Sequence, residues 1–95
     1  MPFFMLKIDL SRDAARFLKK IPAGHSRQIA ERILALTRDP DSLPSVELKG
    51  YAPWRRAKSG EYRIIYNVED GTLFVLLIGK RNDDEVYQLL KRSLR

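Results

Sequence analysis

Alternation of apolar and polar residues predicts where the strands lie. The segment Phe3–Leu10 is rich in apolar residues and ends in alternation, which predicts a first strand. Trp54–Lys58, Tyr62–Val68 and Leu73–Ile78 are predicted as three further strands. Their connections, SGE and EDGT, are short, and the Asp70-Gly71 dipeptide is a strong hairpin signal because glycine tolerates a positive φ angle. Short connections join antiparallel neighbours, so these three strands are expected to form a meander.

Apolar residues at three- and four-residue intervals predict two helices before the meander. The first covers about Ser11–Lys20, with its first residue as the N-cap. A break at Pro22 ends it, and the second helix begins at His25 or Ser26. That helix ends before Pro40, because the residue that precedes a proline disfavours the helical region. So short a break between two helices predicts an antiparallel helical hairpin.

A third helical pattern closes the chain. Its apolar residues are Val86, Leu89, Leu90 and Leu94, and its cap is expected at Asp83 or Asp84. The element order is therefore strand, helix, helix, three-stranded meander and short helix. This order predicts an α+β fold, with a small antiparallel sheet that carries the helical hairpin on one face. The other face is left to water or to a ligand. Residues 1–95 are expected to form one domain, since the chain has no repeat, linker or low-complexity segment.

Charge and composition narrow the range of functions. The chain has 18 Lys and Arg against 12 Asp and Glu, a net charge of +6, which favours polyanionic partners such as nucleic acid, a ribonucleoprotein or an acidic protein. Five cations and one acid lie between Lys49 and Arg63, directly before the most apolar strands. The chain has no cysteine, which excludes disulfides and thiolate metal sites and suits the cytoplasm. We expect no metal, no cofactor, no signal peptide and no membrane span.

Strand alternation places part of this charge on one face of the sheet. In Tyr62–Val68 the even positions are the better core face, so Arg63 is predicted to point to the open face. Arg56 and Lys58 share one face of the preceding strand, and pairing across SGE brings that face beside Arg63. Arg81 follows the last strand at its exit. The sequence therefore predicts a basic sheet surface lined by these four cations.

The segment Leu48–Arg92 resembles the C-terminal half of the RelE/ParE toxin superfamily. The most diagnostic parts are GEYRIIY, the strand after the basic hairpin, and GKRNDDEVY, with its Lys-Arg pair and later Tyr. The N-terminal strand and the helical hairpin match the family in pattern only. RelE-like toxins cut mRNA in the ribosomal A site, whereas ParE-like toxins share the fold but inhibit DNA gyrase and lack the RNase residues. The resemblance implies a cytoplasmic toxin of a type II toxin–antitoxin system. Its implied partners are a cognate antitoxin, held in a hetero-oligomer, and the ribosome with its mRNA.

The resemblance also implies a catalytic set. Carried over from RelE-like toxins, it falls on Arg56, Lys58, Arg63, Arg81 and Tyr87. In metal-independent cleavage the 2′-OH of RNA attacks the adjacent phosphate, and the reaction needs a proton acceptor, charge stabilisation and a donor to the leaving 5′-oxygen. Arginine suits the charge role because its planar fork binds two oxygens at once.

The roles divide between charge and proton transfer. Arg56 and Arg63 are assigned to charge, and Arg81 to charge or to protonation of the leaving group. Proton transfer falls to Lys58 or Tyr87, and stacking on a base is a further role for Tyr87. The neighbouring cations expected to contact RNA are Lys49, Arg55 and Lys80, and Arg55 is the alternative to Arg56 in the catalytic set.

Plainer interpretations stay open for the same residues. Arg56 and Lys58 are also consistent with an exposed strand face. Arg63 and Arg81 are consistent with ion pairs to neighbouring acids, and Tyr87 is consistent with packing in the core. His25, the one histidine, is expected as a cap-region residue rather than a base. Two other functions compete with RNA cleavage: a non-catalytic, ParE-like inhibition of gyrase, and a basic module that binds RNA or protein.

Overall fold

The computed structural model of the protein describes residues 5–41, 45–80 and 85–93. In chain order the elements are β1 (Lys7–Leu10), α1 (Arg12–Lys20), α2 (Ala23–Arg38), β2 (Ser45–Glu47), β3 (Arg55–Ser59), β4 (Tyr62–Glu69), β5 (Thr72–Lys80) and α3 (Glu85–Ser93). The strands form one sheet in the order β1-β5-β4-β3-β2. β1 runs parallel to β5, and the other strand pairs are antiparallel. The predicted α+β fold with its meander is confirmed, and the parallel β1 makes the sheet a mixed one.

Two tight turns set the register of the meander. Asp70 and Gly71 have φ angles of +50° and +74°, which is the backbone that a two-residue hairpin turn of type I′ requires. The predicted hairpin at this dipeptide is therefore confirmed. Gly60, with a φ angle of +59°, begins the turn between β3 and β4. That turn places Lys58 directly opposite Arg63 in the register.

One face of the sheet packs against the helical hairpin. Tyr62, Ile64 and Tyr66 of β4 are buried, with exposed fractions of 3%, 0% and 1%, and belong to one cluster with apolar residues of α1 and α2. We call this the hairpin face. The even positions of β4 are thus the core positions that the alternation predicts. Ser11 caps α1 as expected, since its Oγ accepts a hydrogen bond from the backbone N–H of Ala14 at 3.0 Å.

The opposite face of the sheet carries a second, smaller core. Its buried residues are Leu48, Ile65, Leu77 and Leu90, and α3 packs across β5 on this side. The expectation that this face stays wholly open is therefore wrong in part. A nine-residue helix is marginal alone and must bury its apolar stripe, and Ile65 and Leu77 offer the surface that it needs.

Several element boundaries differ from those predicted. β2 lies in a segment where the sequence pattern indicates neither helix nor strand, because a three-residue strand has too little alternation to be recognised. α2 begins at Ala23, ahead of His25, with Pro22 as its N-cap, whose φ of −54° is already close to the helical value. The predicted caps Asp83 and Asp84 lie outside the described residues, as does the start of the predicted first strand.

Candidate functional site

Three cations gather on the sheet face that bears α3. In the register Lys58 lies opposite Arg63, and Arg56 lies opposite Ile65, a member of the core beneath α3. Residues directly opposite each other in a sheet project from the same face. Arg56, Lys58 and Arg63 therefore share one surface, which together with Tyr87 of α3 we call the basic face.

Arg56 is joined to the C-terminal helix by a hydrogen bond. Its Nη1 donates to Tyr87 Oη at 2.7 Å, and both side chains are half-buried. This contact connects β3 to α3 across 31 positions of the chain. Tyr87 also packs against the core beneath α3. The phenol therefore has its ring on apolar residues and its oxygen on a cation, so core packing accounts for only part of its environment.

Arg63 is held by the turn that precedes it. Its Nη1 donates to the carbonyl oxygens of Gly60 at 3.2 Å and of Tyr62 at 2.9 Å. A guanidinium has five N–H donors, so most of them stay available for another acceptor. The backbone thus fixes the side chain without neutralising its charge. An ion pair with a neighbouring acid would instead have neutralised that charge.

Lys58 and Arg63 form an unfavourable pair at the end of the meander. Like charges directly opposite each other destabilise antiparallel strands. On its other side Arg63 lies opposite Gly79 of β5, which has no side chain and is buried. Glycine inside a strand marks a place where another group can approach the backbone closely. The arrangement therefore places two cations side by side next to a position without a side chain, and an anionic group bound there would offset their repulsion.

A cleft adjoins the basic face on the side of β2. It has a volume of about 290 Å³ and is lined by Val46, Glu47, Leu48, Lys49, Tyr51, Arg56 and Tyr87. Ligand sites in proteins start at about 300 Å³, so this cleft is large enough for a small group only. Lys49 thus lies close to two of the predicted catalytic residues. The aromatic and apolar lining from the segment before β3 is a feature that the sequence pattern did not reveal.

Arg55 and Lys80 do not lie on the basic face. Arg55 is opposite Tyr66 in the register and Lys80 is opposite Tyr62, so both fall on the hairpin face. Arg55 also donates from Nε and Nη2 to Ser45 Oγ, at 3.1 Å and 2.8 Å. Of the two neighbouring arginines, Arg56 is therefore the one that shares a surface with Lys58. Arg81 lies outside the described residues.

A second group of cations escaped the sequence analysis. Helix α1 has four exposed basic residues and one acid, Asp13, along its nine positions. The basic residues are Arg12, Arg16, Lys19 and Lys20. Their spacing places them on the outer side of an amphipathic helix, and this helical spacing is the sequence signal that identifies them.

The described ranges show neither a metal-binding cluster nor a membrane-spanning helix. In residues 5–41, 45–80 and 85–93, no three His, Cys, Asp or Glu side chains come together as ligands for a metal ion. Among the helices of the same ranges, none has the length and apolar character that crossing a membrane requires.

Comparison with known proteins gives a family and a set of similar folds. A family model described as the ParE toxin of type II toxin-antitoxin system, parDE, matches residues 8–85. The structure of a mutant of the E. coli toxin RelE in the free state is similar with a TM-score of 0.76 at 22% identity, over 96% of this chain and 99% of that chain. No curated protein sequence matches this chain at a significant level.

Two complexes extend the comparison to both kinds of toxin. The archaeal RelE-RelB complex from Pyrococcus horikoshii gives a TM-score of 0.70 at 24% identity, over 82% of this chain and 97% of that chain. The chromosomal ParDE system from P. aeruginosa gives a TM-score of 0.67 at 14% identity, over 81% of this chain and 97% of that chain. At these identities the likeness is one of fold.

The facing charges of β3 and β4 predict a stability gain on neutralisation. We expect Lys58→Gln to raise the free energy of unfolding by about 0.2–1 kcal/mol, because it removes one of two like charges that face each other. Urea denaturation at low ionic strength measures this. Lys49→Gln, which removes an exposed lysine outside the strand pairs, is the matched control and should leave stability unchanged.

The gain should shrink in 1 M salt, where the Debye length falls to about 3 Å. A loss of stability in Lys58→Gln, or a gain of equal size at both salt concentrations, would contradict the electrostatic account.

Proposed function

This chain belongs to the ParE toxin family of type II toxin–antitoxin systems, within the RelE/ParE superfamily, and we propose that it is an endoribonuclease that cuts mRNA on the ribosome. It would act in the cytoplasm, where translated mRNA is found, and block translation. The observation that supports cleavage is the basic face. Three cations share one surface of the sheet, and a tyrosine hydroxyl is hydrogen-bonded to one of them.

The proposed reaction is an internal transfer at phosphorus. The 2′-oxygen of one nucleotide forms a bond to the adjacent phosphorus, and the bond from phosphorus to the 5′-oxygen of the next nucleotide breaks. One proton leaves the 2′-OH, and one proton reaches the 5′-oxygen. The products are a 2′,3′-cyclic phosphate and a 5′-OH. Negative charge builds on the phosphoryl oxygens between these events, so preorganised cations are the largest aid that a protein can supply.

The geometry supports a division of these roles. Arg63 is fixed by backbone carbonyls at 2.9 Å and 3.2 Å and keeps free donors, which suits a group that stabilises charge. Arg56 is held by a side chain instead, because its Nη1 donates to the hydroxyl of Tyr87. Because Tyr87 Oη accepts a hydrogen bond from Arg56, its own O–H can point to a third group such as the leaving oxygen. Lys58, in its neutral form, would then take the proton from the 2′-OH. Arg81 stays a proposed member of the set, for charge or for the leaving group.

Inhibition of DNA gyrase is the second candidate. Two observations favour it: the family model is described by its ParE toxin, and the structure of a ParDE system is among the similar folds. A protein that inhibits gyrase without catalysis does not need a tyrosine hydroxyl that is hydrogen-bonded to an arginine on a cationic face of the sheet. The basic face therefore favours cleavage of RNA, and direct measurement of both activities decides between the two candidates.

The deciding experiment compares translation with DNA topology. We expect the purified protein to cut mRNA on programmed ribosomes, seen by primer extension as breaks inside codons, and to leave the mRNA intact when ribosomes are omitted. Supercoiling by purified gyrase should continue at its normal rate. Inhibited supercoiling with intact mRNA would move the protein to the gyrase inhibitors, and activity in neither assay would leave a binding module.

Two neighbouring arginines on opposite faces give a matched test of the site. We expect Arg56→Ala and Arg63→Ala each to slow cleavage by about 10²–10³-fold, the usual effect of removing one preorganised charge partner. Arg55→Ala should cleave at nearly the normal rate, because its side chain binds Ser45 on the hairpin face. Circular dichroism checks the folding of all three variants. Equal loss in Arg55→Ala and Arg56→Ala would show that the face of the sheet is not what matters.

We also propose that the cognate antitoxin silences the protein by binding the basic face or by displacing α3. Leu90 of α3 is fully buried, so displacement would uncover an apolar surface at Ile65 and Leu77 for the partner to occupy. A partner segment that folds on binding suits such a surface, and acidic residues in it would speed the encounter.

Hydrogen exchange with and without antitoxin tests this proposal. Changes in protection should concentrate in residues 54–63 and 85–93, which carry the basic face and the helix above it. The helical hairpin, α1 and α2, serves as the internal reference. Changes confined to that hairpin while the antitoxin still inhibits would refute binding at the site and leave exclusion from the ribosome as the mechanism.

A further inference from the structure

We propose that His25 is a positioning residue, which holds Arg63 and Lys58 in place through Tyr62 and the β3–β4 turn. The inference rests on the proposed cleavage of RNA. His25 lies in the first turn of α2, on the hairpin face, whereas Arg63 and Lys58 belong to the basic face on the other side of the sheet. Its effect on the site would pass through contacts that the structure shows one by one.

Tyr62 of β4 contacts both helices of the helical hairpin. Its Oη and the Nδ1 of His25 are 2.7 Å apart and hydrogen-bonded. Its ring meets the rings of His25 and Phe17 edge-on, with centroids 5.6 Å and 5.8 Å apart. The side chain is only 3% exposed. A buried phenol needs a partner for its hydroxyl, and His25 supplies it from the solvent-exposed edge of α2.

The position of Tyr62 directly affects the position of Arg63. The two residues are adjacent in β4, and Arg63 Nη1 donates to the carbonyl oxygens of Tyr62 and Gly60. The guanidinium therefore takes its place from the backbone of the turn. Lys58 lies opposite Arg63 in the register, so it moves with the same turn. A shift of Tyr62 would displace both cations of this row together.

A second side chain of α2 lies beside the tip of the turn. A Cβ built on Gly60 would lie 3.5 Å from Gln28 Nε2, which places the Gln28 side chain beside the turn. His25 and Gln28 are three positions apart and so lie on one side of the helix. The start of α2 is thus hydrogen-bonded to the buried phenol and places a second side chain beside the exposed glycine.

The hydrogen bond between His25 and Tyr62 would counteract the repulsion between Lys58 and Arg63 beside the turn. Lys58 and Arg63 face each other one residue pair before the two-residue turn, and their like charges push the two strands apart at this position. A catalytic site needs these charges held within a fraction of an ångström of their working positions, and a misplacement of about 1 Å can lower a rate by about 10²-fold. The hydrogen bond to His25 opposes that separation from the other face of the sheet.

Three substitutions at one position separate this role from packing. His25→Phe keeps a ring against Tyr62 and removes the hydrogen bond, His25→Ala removes both, and His25→Asn keeps a polar group at about the position of Nδ1. Arg27→Ala, an exposed neighbour on α2, is the control. Cleavage of mRNA in programmed ribosomes is measured under single-turnover conditions as a function of toxin concentration, and thermal unfolding checks that each variant is folded.

We expect the maximal rate of His25→Phe and His25→Ala to fall by about tenfold or more, with the half-saturating concentration unchanged. His25→Asn should recover most of the rate, and Arg27→Ala should match the unsubstituted protein. A rise in half-saturating concentration at a constant maximal rate would overturn the proposal, as would a normal rate in His25→Phe.

An NMR measurement makes the anchor visible without any cleavage. In ¹⁵N-labelled protein, His25→Phe should shift the signals of Gly60 N–H and Arg63 Nε–H and leave those at the C-terminal end of α2 in place. Unmoved signals at Gly60 and Arg63 would refute the proposal. If the unsubstituted protein does not cut mRNA, the proposed function fails, and a positioning role in cleavage fails with it. Shifted signals would then record the anchor alone.

Discussion

Strand β4 is fully buried at Ile64 and Ile65 but only half-buried at Arg63, and the candidate site depends on this change along one strand. The helical hairpin covers the even positions, and α3 covers Ile65 from the opposite side. The next odd position of β4 towards the turn is Arg63, a cation. The basic face therefore begins at the edge of the core beneath α3, where Arg56 contacts Tyr87, and extends to Lys58 and Arg63 beside the turn.

This arrangement keeps the cations on a rigid element while leaving them accessible. Arg63 and Lys58 sit at the end of a sheet whose other face is closely packed, so their backbone positions are fixed by the core. Arg56 and Arg63 are further held by Tyr87 and by the turn carbonyls. Sites built on strands keep their geometry better than sites on loops. A row of like charges lowers stability locally, and a protein keeps such a feature where an anionic ligand offsets it.

The fold alone does not decide what the protein acts on, because RelE and ParE systems are both among its structural relatives. In the proposed function, the feature that favours RNA cleavage is the identity of a few side chains on one face. Register therefore matters more here than element content, since a slip of one residue in β3 would exchange Arg55 for Arg56 and turn Lys58 inward. The glycine-containing turns at Gly60 and Gly71 secure that register locally.

The sequence by itself determined the order of most elements, the hairpin at Asp70-Gly71 and the common face of Arg56, Lys58 and Arg63. These follow from local rules, because strand alternation has a period of two and turn chemistry depends on adjacent residues. The position of α3 was decided only by tertiary structure, since its apolar stripe is satisfied equally well by either face of a sheet. The same holds for the Arg56–Tyr87 and His25–Tyr62 hydrogen bonds, which join residues 31 and 37 positions apart. Contacts over such separations depend on how layers pack, and no local pattern records that packing.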